Sequence, residues 1–551
     1  AASDVYKRQA LHGASRRTFG SFTSKTSETT TLARFVSGGA ASTRGFPRSR
    51  RSGTLSDSNG CGTSISRLAR ERSSNVIAVS PNFCSPAPTL AGRPSTRCSP
   101  SNPSMQVVWF KRDLRVRDHR PLVEAAARGP VLCLYVYEPE LLDSAELGAL
   151  HNTFIHQSLL ELREDLRRLG ADLVVRFGSM PEVLEALHRE HPITALYSHR
   201  ETGNRITYDR DLRVEDWAAA RRIPWQQWGQ SGVIRRMKTR DGWARRWART
   251  MSRPILDPPE ALRGHPAVPA EDLRSPAELS LPGATQLEVQ HGGEREAHSV
   301  LDSFLQERGA RYRFEMSSPV SAGSSCSRLS PYLAWGNISV KTVYQRARER
   351  SEEVKALKKQ KAPIDPSWPQ SLSSFQSRLR WHCHFMQKLE DEPEIEFHAM
   401  NRALDGLRVD SFRQDYFDAW ANGQTGYPLV DACMRALHRT GWINFRMRAM
   451  LMSFASYHLW LDWRPTSRHL AQCFLDFEPG IHFSQAQMQS GATGINAVRI
   501  YSPIKQVIDQ DPEGIFIKRY VPELEAVPAE HIAEPQKMPG DLQRRVGCII
   551  G

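Results

Sequence analysis

Short apolar runs alternate with amphipathic stretches along the chain after residue 105. The runs are rich in β-branched residues: VVWF (107–110), VLCLYVYE (131–138), ADLVVRFG (171–178) and ITALYSH (193–199). The stretches between them, such as 121–129 and 152–170, repeat apolar residues at helical spacing. This alternation predicts βαβ units and a parallel sheet, and the nearly continuous apolar runs fit strands that are buried on both faces.

Beyond residue 300 the strand pattern disappears and long helical patterns replace it, as in 417–464. Residues 255–300 are rich in Pro, Gly, Ala and Glu without periodicity, which is typical of a linker. We therefore predict an α/β plus all-α protein, in which a Rossmann-like parallel-sheet domain precedes a helical domain. The predicted boundaries are 105–254 for the α/β domain, 255–300 for the linker and 301–551 for the helical domain.

The positive charge of the chain is concentrated at its start. Residues 1–104 hold 15 Lys+Arg, 4 Asp+Glu and 21 Ser, a net charge of +11 out of +14 for all 551 residues. The remaining 447 residues carry a net charge of only +3. Residues 1–104 can bury too little apolar surface to offset chain entropy, so we expect a disordered leader there.

Three explanations of this leader stay open: an organelle transit peptide, a basic tail, or upstream sequence that is not translated. The first methionine is Met105, directly before the first strand-like run, which favours a leader or a non-native extension over a functional arm. A genuine transit peptide would place the protein in a plastid or mitochondrion, and otherwise the cytoplasm or nucleus is expected.

Several classes of protein are excluded by missing features. No apolar run reaches the roughly 20 residues that span a bilayer, so we expect no membrane association. Nine cysteines without a CxxC pair argue against a secreted disulfide scaffold. The motifs of P-loop enzymes, of serine hydrolases and of zinc proteases are absent, and no G-x-G-x-x-G follows the first strand. His382 and His384 do not face each other on a helix, and no other close Cys/His spacing was found, so no metal is expected.

Two groups of residues could carry chemistry. Residues 324–331 combine hydroxyls, an Arg and the start of a helix, which suits a phosphate group, although an ordinary capped helix start explains them equally well. Arg446 and Arg448 lie in a helical pattern that is otherwise apolar, and Asp476 and Glu478 follow a further helix. A buried Arg needs an anionic partner, which can be structural or functional.

Together these segments resemble the photolyase/cryptochrome flavoprotein family. The resemblance covers essentially all of 105–545, and it is carried by residues 107–122, 326–339, 417–448 and 499–524. It implies an α/β antenna domain, a helical domain that binds FAD in a bent shape, and a typical chain end slightly beyond residue 551. It is also compatible with a second, antenna chromophore, whose identity the sequence does not reveal.

The resemblance assigns flavin contacts residue by residue. His482 stands at the position that faces the reactive N5, where Asn is common, so that a proton-active side chain is expected there. Cys326 replaces the usual Thr, and Glu478 stands where a second Asp is common. The full set of flavin contacts is Tyr312, Cys326, Ser327, Arg328, Leu329, Ser330, His382, Arg448, Asp476, Glu478 and His482.

On the substrate side, Trp381 matches the Trp that packs on damaged bases and Arg446 a lesion- or backbone-contacting Arg. Arg378, Phe445 and Met488 stand where dimer-repairing members place Glu, Asn and a second Trp. Of the Trp chain that delivers electrons to the flavin, Trp463 is retained, whereas Asp410 and Ala486 occupy the other two positions. Other candidates for that route are Trp442, Trp460 and Tyr457.

The resemblance implies a monomeric, light-driven lyase that splits cyclobutane pyrimidine dimers in UV-damaged DNA. In this mechanism Trp381, His482 and Trp463 are the catalytic residues. The altered substrate positions keep a cryptochrome-type photoreceptor without repair activity as an alternative. A (6-4) photolyase is the third possibility, although Asn444-Phe445 occupies the place of its expected His pair.

Overall fold

Five parallel strands form one sheet in the order β3-β2-β1-β4-β5, which confirms the predicted parallel sheet. In the computed structural model, which describes residues 105–283, 288–495 and 498–547, the strands are β1 Met105–Phe110, β2 Val131–Tyr137, β3 Leu173–Phe177, β4 Ile193–Arg200 and β5 Trp225–Gly229. Strand β1 is buried at every position because it lies at the centre of the sheet with helices on its faces. The predicted leader, 1–104, lies outside the described residues.

Helices connect the strands and cover the sheet, as right-handed βαβ crossovers require. They are α1 Arg120–Ala126, α2 Pro139–Leu142, α3 Ala149–Leu169, α4 Met180–Glu190, α5 Arg205–Ala220 and α6 Trp243–Met251. Strand β5 was not predicted, because its sequence WQQWG is only half-buried and lacks the apolar run of the other strands.

After the sheet, the described part of the chain is helical, in agreement with the predicted fold class. The helices are α7 Glu294–Ser303, α8 Tyr312–Glu315, α9 Ala322–Ser325, α10 Ser330–Ala334, α11 Val340–Lys359, α12 Trp368–Asp391, α13 Gln414–Ala421, α14 Pro428–Thr440, α15 Phe445–Ser453, α16 Trp463–Cys473, α17 Pro479–Ser490, α18 Pro503–Gln510, α19 Ile515–Tyr520 and α20 Gly540–Arg545. Two π-helical segments, Phe304–Arg308 and Phe454–His458, extend α7 and α15. Short 3-10 turns are Pro393–Glu396, Arg402–Leu404, Pro522–Leu524, Ala529–His531 and Pro535–Lys537. None of the described helices is both long and apolar enough to cross a membrane.

Helix α7 begins inside the segment predicted as a linker. Its first residue, Glu294, is buried, and its carboxylate accepts hydrogen bonds from the backbone N–H groups of Val116 (2.7 Å) and Arg117 (3.2 Å). The start of the helix is therefore held by the loop that follows β1, a long-range contact that composition could not reveal.

The loop after β1 also joins the sheet to the helices. Arg112 Nη2 donates to the carbonyl of Phe477 at 2.7 Å, and Arg115 Nη1 donates to the carbonyl of Gly336 at 2.8 Å. The Arg112 guanidinium lies 4.3 Å from the centre of the Trp335 ring. Because Phe477 separates Asp476 from Glu478, this loop positions two of the predicted flavin residues.

Candidate functional site

The loop 324–330, which belongs to the predicted phosphate segment 324–331, is held by an arginine that the sequence analysis did not select. Arg308 Nη2 donates to the Ser327 carbonyl at 2.7 Å, and Nη1 donates to the carbonyls of Ser324 (3.4 Å) and Cys326. Its Nε donates to Ser303 Oγ at 2.9 Å. Arg308 thus binds three backbone carbonyls within residues 324–327. Sequence offers no signal for it, because one Arg in a helix rich in charge looks like any other.

Arg328 lies within this loop in a left-handed conformation (φ 59°). Its Nε donates to Gln290 Oε1 at 3.1 Å, its carbonyl accepts from Gln290 Nε2 at 2.9 Å, and its guanidinium stacks 4.0 Å from the Trp442 ring. Burial lowers the pKa of Arg328 to about 10, although Asp476 opposes the shift. No carboxylate among the described residues is within ion-pairing distance of this guanidinium. A partly buried cation without an ion pair beside a hydroxyl-rich helix start fits an anionic phosphate group.

The remaining loop residues lead directly into α10. Leu329 is buried at the N-cap position of that helix, and its N–H approaches Ser327 Oγ at 3.4 Å. Ser330 opens the helix and hydrogen-bonds to Asp476. Ser330 therefore connects the loop 324–330 to Asp476.

Arg448 and Asp476 form a bidentate pair, with Nη1–Oδ1 at 2.8 Å and Nη2–Oδ2 at 2.9 Å. Arg448 Nε also donates to the Ile443 carbonyl at 2.8 Å, and its guanidinium lies 4.2 Å from the Phe474 ring. Burial alone would raise the pKa of Asp476, but the Arg448 charge lowers it below its usual value. Asp476 is therefore a buried carboxylate anion at neutral pH.

His382 of α12 pairs with Glu478, the residue before α17, at 2.5 Å between Nε2 and Oε2. Burial alone would lower the pKa of His382, but the Glu478 charge raises it well above the ordinary value of 6.5. The imidazole is therefore a cation at neutral pH. Both side chains line a cavity, together with Arg112.

His482 does not behave as the proton-active residue that was expected. Its Nε2 lies 2.7 Å from the Ser467 carbonyl, which accepts a hydrogen bond from it, and aromatic rings of Phe477 and Phe483 flank the imidazole. Burial lowers the pKa of His482 to about 4. The ring is neutral at physiological pH, its proton is on Nε2, and Nδ1 is left as an acceptor.

Tyr312 and Cys326 lie close to the same charged groups. Burial raises the pKa of each to about 12, so both are protonated at neutral pH. Tyr312 forms a hydrogen bond with Arg378 of α12. The Arg378 guanidinium lies 5.8 Å from the ring of Phe445 at the start of α15. Arg378 therefore connects a predicted flavin contact with a predicted substrate contact.

The predicted substrate residues form an exposed rim. Trp381 and Phe445 are 48% and 53% exposed, unusually high values for such large apolar side chains. Trp381 stacks on Phe385, with ring centres 5.7 Å apart and planes at 29°. Arg446 Nε is buried and has no hydrogen-bond partner. Met488 lies on α17, where its sulfur accepts a hydrogen bond from Gln485 at 3.8 Å.

Trp463, the retained member of the electron route, is buried at the start of α16, and its Nε1 has no hydrogen-bond partner. It lies one helical turn before Ser467, the acceptor of His482. Of the alternative residues, Trp442 stacks on Arg328, while Arg408 lies between Tyr457 and Trp460, 5.0 and 4.7 Å from their rings. Trp442 is thus the alternative that contacts the predicted flavin residues directly.

A second cavity lies at the carboxyl ends of the central strands. Its lining includes Trp109, Lys111 and Arg210 from the sheet domain and Trp335 from the helices. Arg112 and Glu201 line both this cavity and the one beside His382, so they separate the two spaces.

These residues fit a flavin dinucleotide on chemical grounds. The partly buried Arg328 lacks an ion-pair partner beside the phosphate loop, and the carboxylates of Asp476 and Glu478 are anchored by cations of the same site. Such groups can bind a diphosphate at one end and hydrogen-bonding ring atoms at the other. When bound, FAD would supply electron-transfer chemistry, and the protein would supply its orientation and electrostatic environment.

The comparisons with known proteins point in the same direction. The family model for DNA photolyase matches residues 106–245, and that for the FAD binding domain of DNA photolyase matches residues 375–551. A deoxyribodipyrimidine photo-lyase of Thermus thermophilus is 30% identical over 429 residues, which cover 76% of this chain and 92% of that protein.

Relatives of both functional types are present. A cryptochrome DASH of Gloeobacter violaceus is 27% identical over 473 residues, covering 81% of this chain and 91% of that protein. A solved structure of a bacterial class III photolyase from Agrobacterium tumefaciens superposes with a TM-score of 0.72 at 26% identity, covering 83% of this chain and 94% of the other.

Proposed function

Because the chain belongs to the photolyase/cryptochrome family, we propose that it repairs UV-damaged DNA by splitting cyclobutane pyrimidine dimers in a light-driven reaction. The observation that carries this proposal is the position of Trp381. This aromatic side chain is 48% exposed on α12, the helix that also contributes His382 to the buried site. Exposed aromatic rings are stacking platforms for unstacked bases, and a damaged, poorly stacked dimer is the least costly base step to flip out.

The buried residues would orient the cofactor and keep its surroundings fixed. Arg328 and the 324–330 loop bind the diphosphate, while the Arg448–Asp476 pair holds a carboxylate in one orientation. Bound reduced FAD would supply, on absorbing light, the electron that splits the dimer and that afterwards returns. No metal or covalent nucleophile is needed for this chemistry.

The two histidines of the site would keep fixed protonation states near neutral pH. His482 is neutral, with its proton engaged by the Ser467 carbonyl, so it can accept but not donate a hydrogen bond at Nδ1. His382 is protonated and engaged by Glu478. The flavin edge would therefore meet groups whose protonation does not change near neutral pH, which favours electron transfer without proton loss.

The rim would bind the lesion and the strand that carries it. Trp381 offers a stacking face, Phe445 adds a second exposed ring, and the neighbouring Arg446 adds a positive charge that would attract a backbone phosphate. Because the chain after residue 104 has a net charge of only +3, such contacts are local, and their strength would fall with salt concentration.

A cryptochrome-type photoreceptor is the second candidate, and a specific observation favours it. Arg378 and Phe445 are in contact where a dimer-repairing member would place an acid and an amide. Phe445 has no hydrogen-bonding side-chain atoms for a base edge, which weakens direct readout of a lesion. The relatives include a cryptochrome DASH as well as photolyases. A (6-4) photolyase is a further alternative that shares the same flavin site.

One experiment separates these functions. The purified chain, reduced and illuminated, is incubated with DNA carrying a defined cyclobutane dimer or a defined (6-4) lesion. We expect restoration of the cyclobutane dimer only. Restoration of the (6-4) lesion would replace the first proposal by the third. If neither lesion is restored although FAD is bound and photoreducible, the photoreceptor function is favoured over both repair functions.

We further propose that the cavity at the carboxyl ends of the central strands receives the second chromophore, because it is lined by Trp and Arg side chains and shares Arg112 and Glu201 with the His382 cavity. Cofactors released from the purified protein would be identified by mass spectrometry. Narrowing the cavity with Leu142→Trp should remove any chromophore other than FAD and leave FAD bound.

A further inference from the structure

Three metal-ligating side chains outside the flavin site converge at the ends of two helices. His438 belongs to the last turn of α14, and Cys473 is the last residue of α16, with His469 one turn before it. One ligand atom of each of these three residues lies within 4.8 Å of the other two. His469 and Cys473 are four residues apart, a spacing that places both on one helix face. The sequence analysis overlooked this pair.

The orientation of His469 is the arrangement that metal-binding histidines adopt. Its Nε2 lies 3.8 Å from Cys473 Sγ, and the ring is also hydrogen-bonded to the backbone of Ala421. One ring nitrogen is thus directed at the thiol while a backbone group fixes the ring. Second partners of this kind orient metal-ligating imidazoles in known sites. The rings of Phe417 and Trp420 enclose His469 from the other sides, 5.8 and 5.6 Å away.

The position of the cluster favours a cation for a second, independent reason. The C-terminal end of a helix carries the negative end of its dipole, and two such ends, those of α14 and α16, meet here. Cys473 is buried, whereas His438 and His469 are only partly buried, so that an ion and a water molecule can enter from that side.

A second cluster, Asp113, His119 and His199, gives a useful contrast. Both rings there approach Asp113 Oδ2, at 3.0 and 2.8 Å, and the N–H of Leu122 donates to His119 Nδ1. This buried group is satisfied by its own hydrogen bonds, and an ion would have to replace them. At the His438 cluster, by contrast, the two histidines meet edge to face, with ring centres 5.7 Å apart.

We propose that His438, His469 and Cys473 form a zinc site, with a water molecule as the fourth ligand. Two imidazoles and a thiolate are ligands that Zn²⁺ accepts in tetrahedral geometry. Binding forms a Zn–S bond and releases the thiol proton to solvent, without oxidation or reduction. The inference is independent of DNA repair, because none of the three residues belongs to the flavin or lesion site.

The site would stabilise the flavin-binding segment from outside. Cys473 lies three residues before Asp476, and the N–H of Leu475 donates to the carbonyl of Gly441, the C-cap of α14, at 3.0 Å. A zinc ion would therefore join the C-terminal ends of α14 and α16, and the segment that carries Asp476 directly follows α16. Because the ion binds the folded chain only, it should raise the melting temperature.

The test uses the full chain, stripped of metal with a chelator and kept in the dark. Zn²⁺ alone is added, and bound zinc is measured by mass spectrometry after equilibrium dialysis. Cys473→Ser should lose about 100-fold or more in zinc affinity, at least the effect of removing a second partner. Cys433→Ser removes another buried thiol from α14 and should bind zinc as the parent does.

Cobalt gives a readout that a purely structural role would not change. Co²⁺ should give the intense visible bands of a tetrahedral thiolate site in the parent and in Cys433→Ser, and not in Cys473→Ser. If Cys473→Ser fails to fold, as judged by loss of FAD, His438→Gln at the partly exposed edge provides the same comparison. A parent chain that binds no zinc, or zinc retained equally by the Cys473 and His438 variants, would overturn the proposal.

Discussion

The predicted flavin pocket and the predicted substrate rim beside it use similar residues in opposite ways. In the pocket, Arg448 is bound in bidentate geometry by Asp476 and His382 by Glu478, and the two acids are 4% and 13% exposed. At the rim, Trp381 and Phe445 are about half exposed, and Arg446 Nε has no partner. In the pocket, ion pairs already hold the charged side chains in place. At the rim, the aromatic side chains remain exposed and can contact a partner. A preorganised pocket beside an unsatisfied rim is the arrangement expected when a resident cofactor acts on a transient substrate.

The largest effect should come from breaking the buried pair. Arg448→Met leaves the Asp476 carboxylate buried without its cation and should cost about 3–5 kcal/mol of unfolding free energy, with loss of FAD. The matched control is Arg413→Met, because Arg413 binds Asp415 in the same bidentate way (2.9 and 2.7 Å) but both side chains are more than half exposed. That variant should cost under about 1 kcal/mol. Denaturant unfolding measures the free energy of unfolding of both variants. Equal decreases in the two variants would contradict the contrast between pocket and surface.

Release of the phosphate loop should have the next largest effect. Arg308→Met removes a charged donor from three carbonyls of 324–327 and should cost about 2–3 kcal/mol and weaken FAD binding. Arg311→Met is the control, since Arg311 is 65% exposed and pairs with Glu315 one turn away. FAD dissociation is followed by the recovery of free-flavin fluorescence. An unchanged FAD affinity in Arg308→Met would show that the loop does not bind the diphosphate.

Removal of the stacking platform should affect the rim alone. Trp381→Ala should weaken binding of damaged DNA by about 1–3 kcal/mol, roughly 5- to 150-fold, while FAD remains bound. Trp460→Ala is matched to it, because Trp460 has the same exposure of 48% and lies beside Arg408. Fluorescence anisotropy with damaged and undamaged duplexes measures the affinity. FAD loss in Trp381→Ala would show that Trp381 belongs to the pocket.

The His382–Glu478 pair should give the pocket a dependence on alkaline pH. Because the folded pKa of His382 is raised, the pair contributes fully below pH 6.5 and is lost as the pH rises through the raised value. Stability measured from neutral to alkaline pH should therefore fall in the parent and fall less in His382→Gln. His398→Gln is the control, since His398 also pairs with a carboxylate, Asp405, but is 48% exposed. A parallel decline in both variants would remove His382 as the cause.

The smallest effect is expected from a single rim charge. Arg446→Gln should lower the slope of log affinity against log salt by about 1, without a change in FAD content. Arg189→Gln removes an exposed charge on α4 that already pairs with Glu185, and it should leave the slope unchanged. DNA binding measured over a range of salt concentrations decides between them. An unchanged slope in Arg446→Gln would mean that this side chain contacts no phosphate.

Patterns that act over short distances were readable from the sequence. The apolar runs at 107–110 and 131–138 form β1 and β2. Central strands of a parallel sheet are covered by helices on both faces, so consecutive apolar residues are buried there. Strand β5 was missed, because WQQWG has no such pattern and is completed only by pairing with β4. Arg308 and the His469–Cys473 pair were missed for a related reason: what these side chains contact depends on elements that are distant in sequence.

The sequence by itself determined the fold class, the family and the residue types of the flavin site, because strand and helix periodicity and the loop 324–330 are local features of the chain. The tertiary structure decided the state of each side chain. His482 became neutral because burial and the Ser467 carbonyl act on it, and His382 became a cation because Glu478 lies 2.5 Å away. Charge and protonation depend on distances and burial between segments far apart along the chain, and only folding sets those distances.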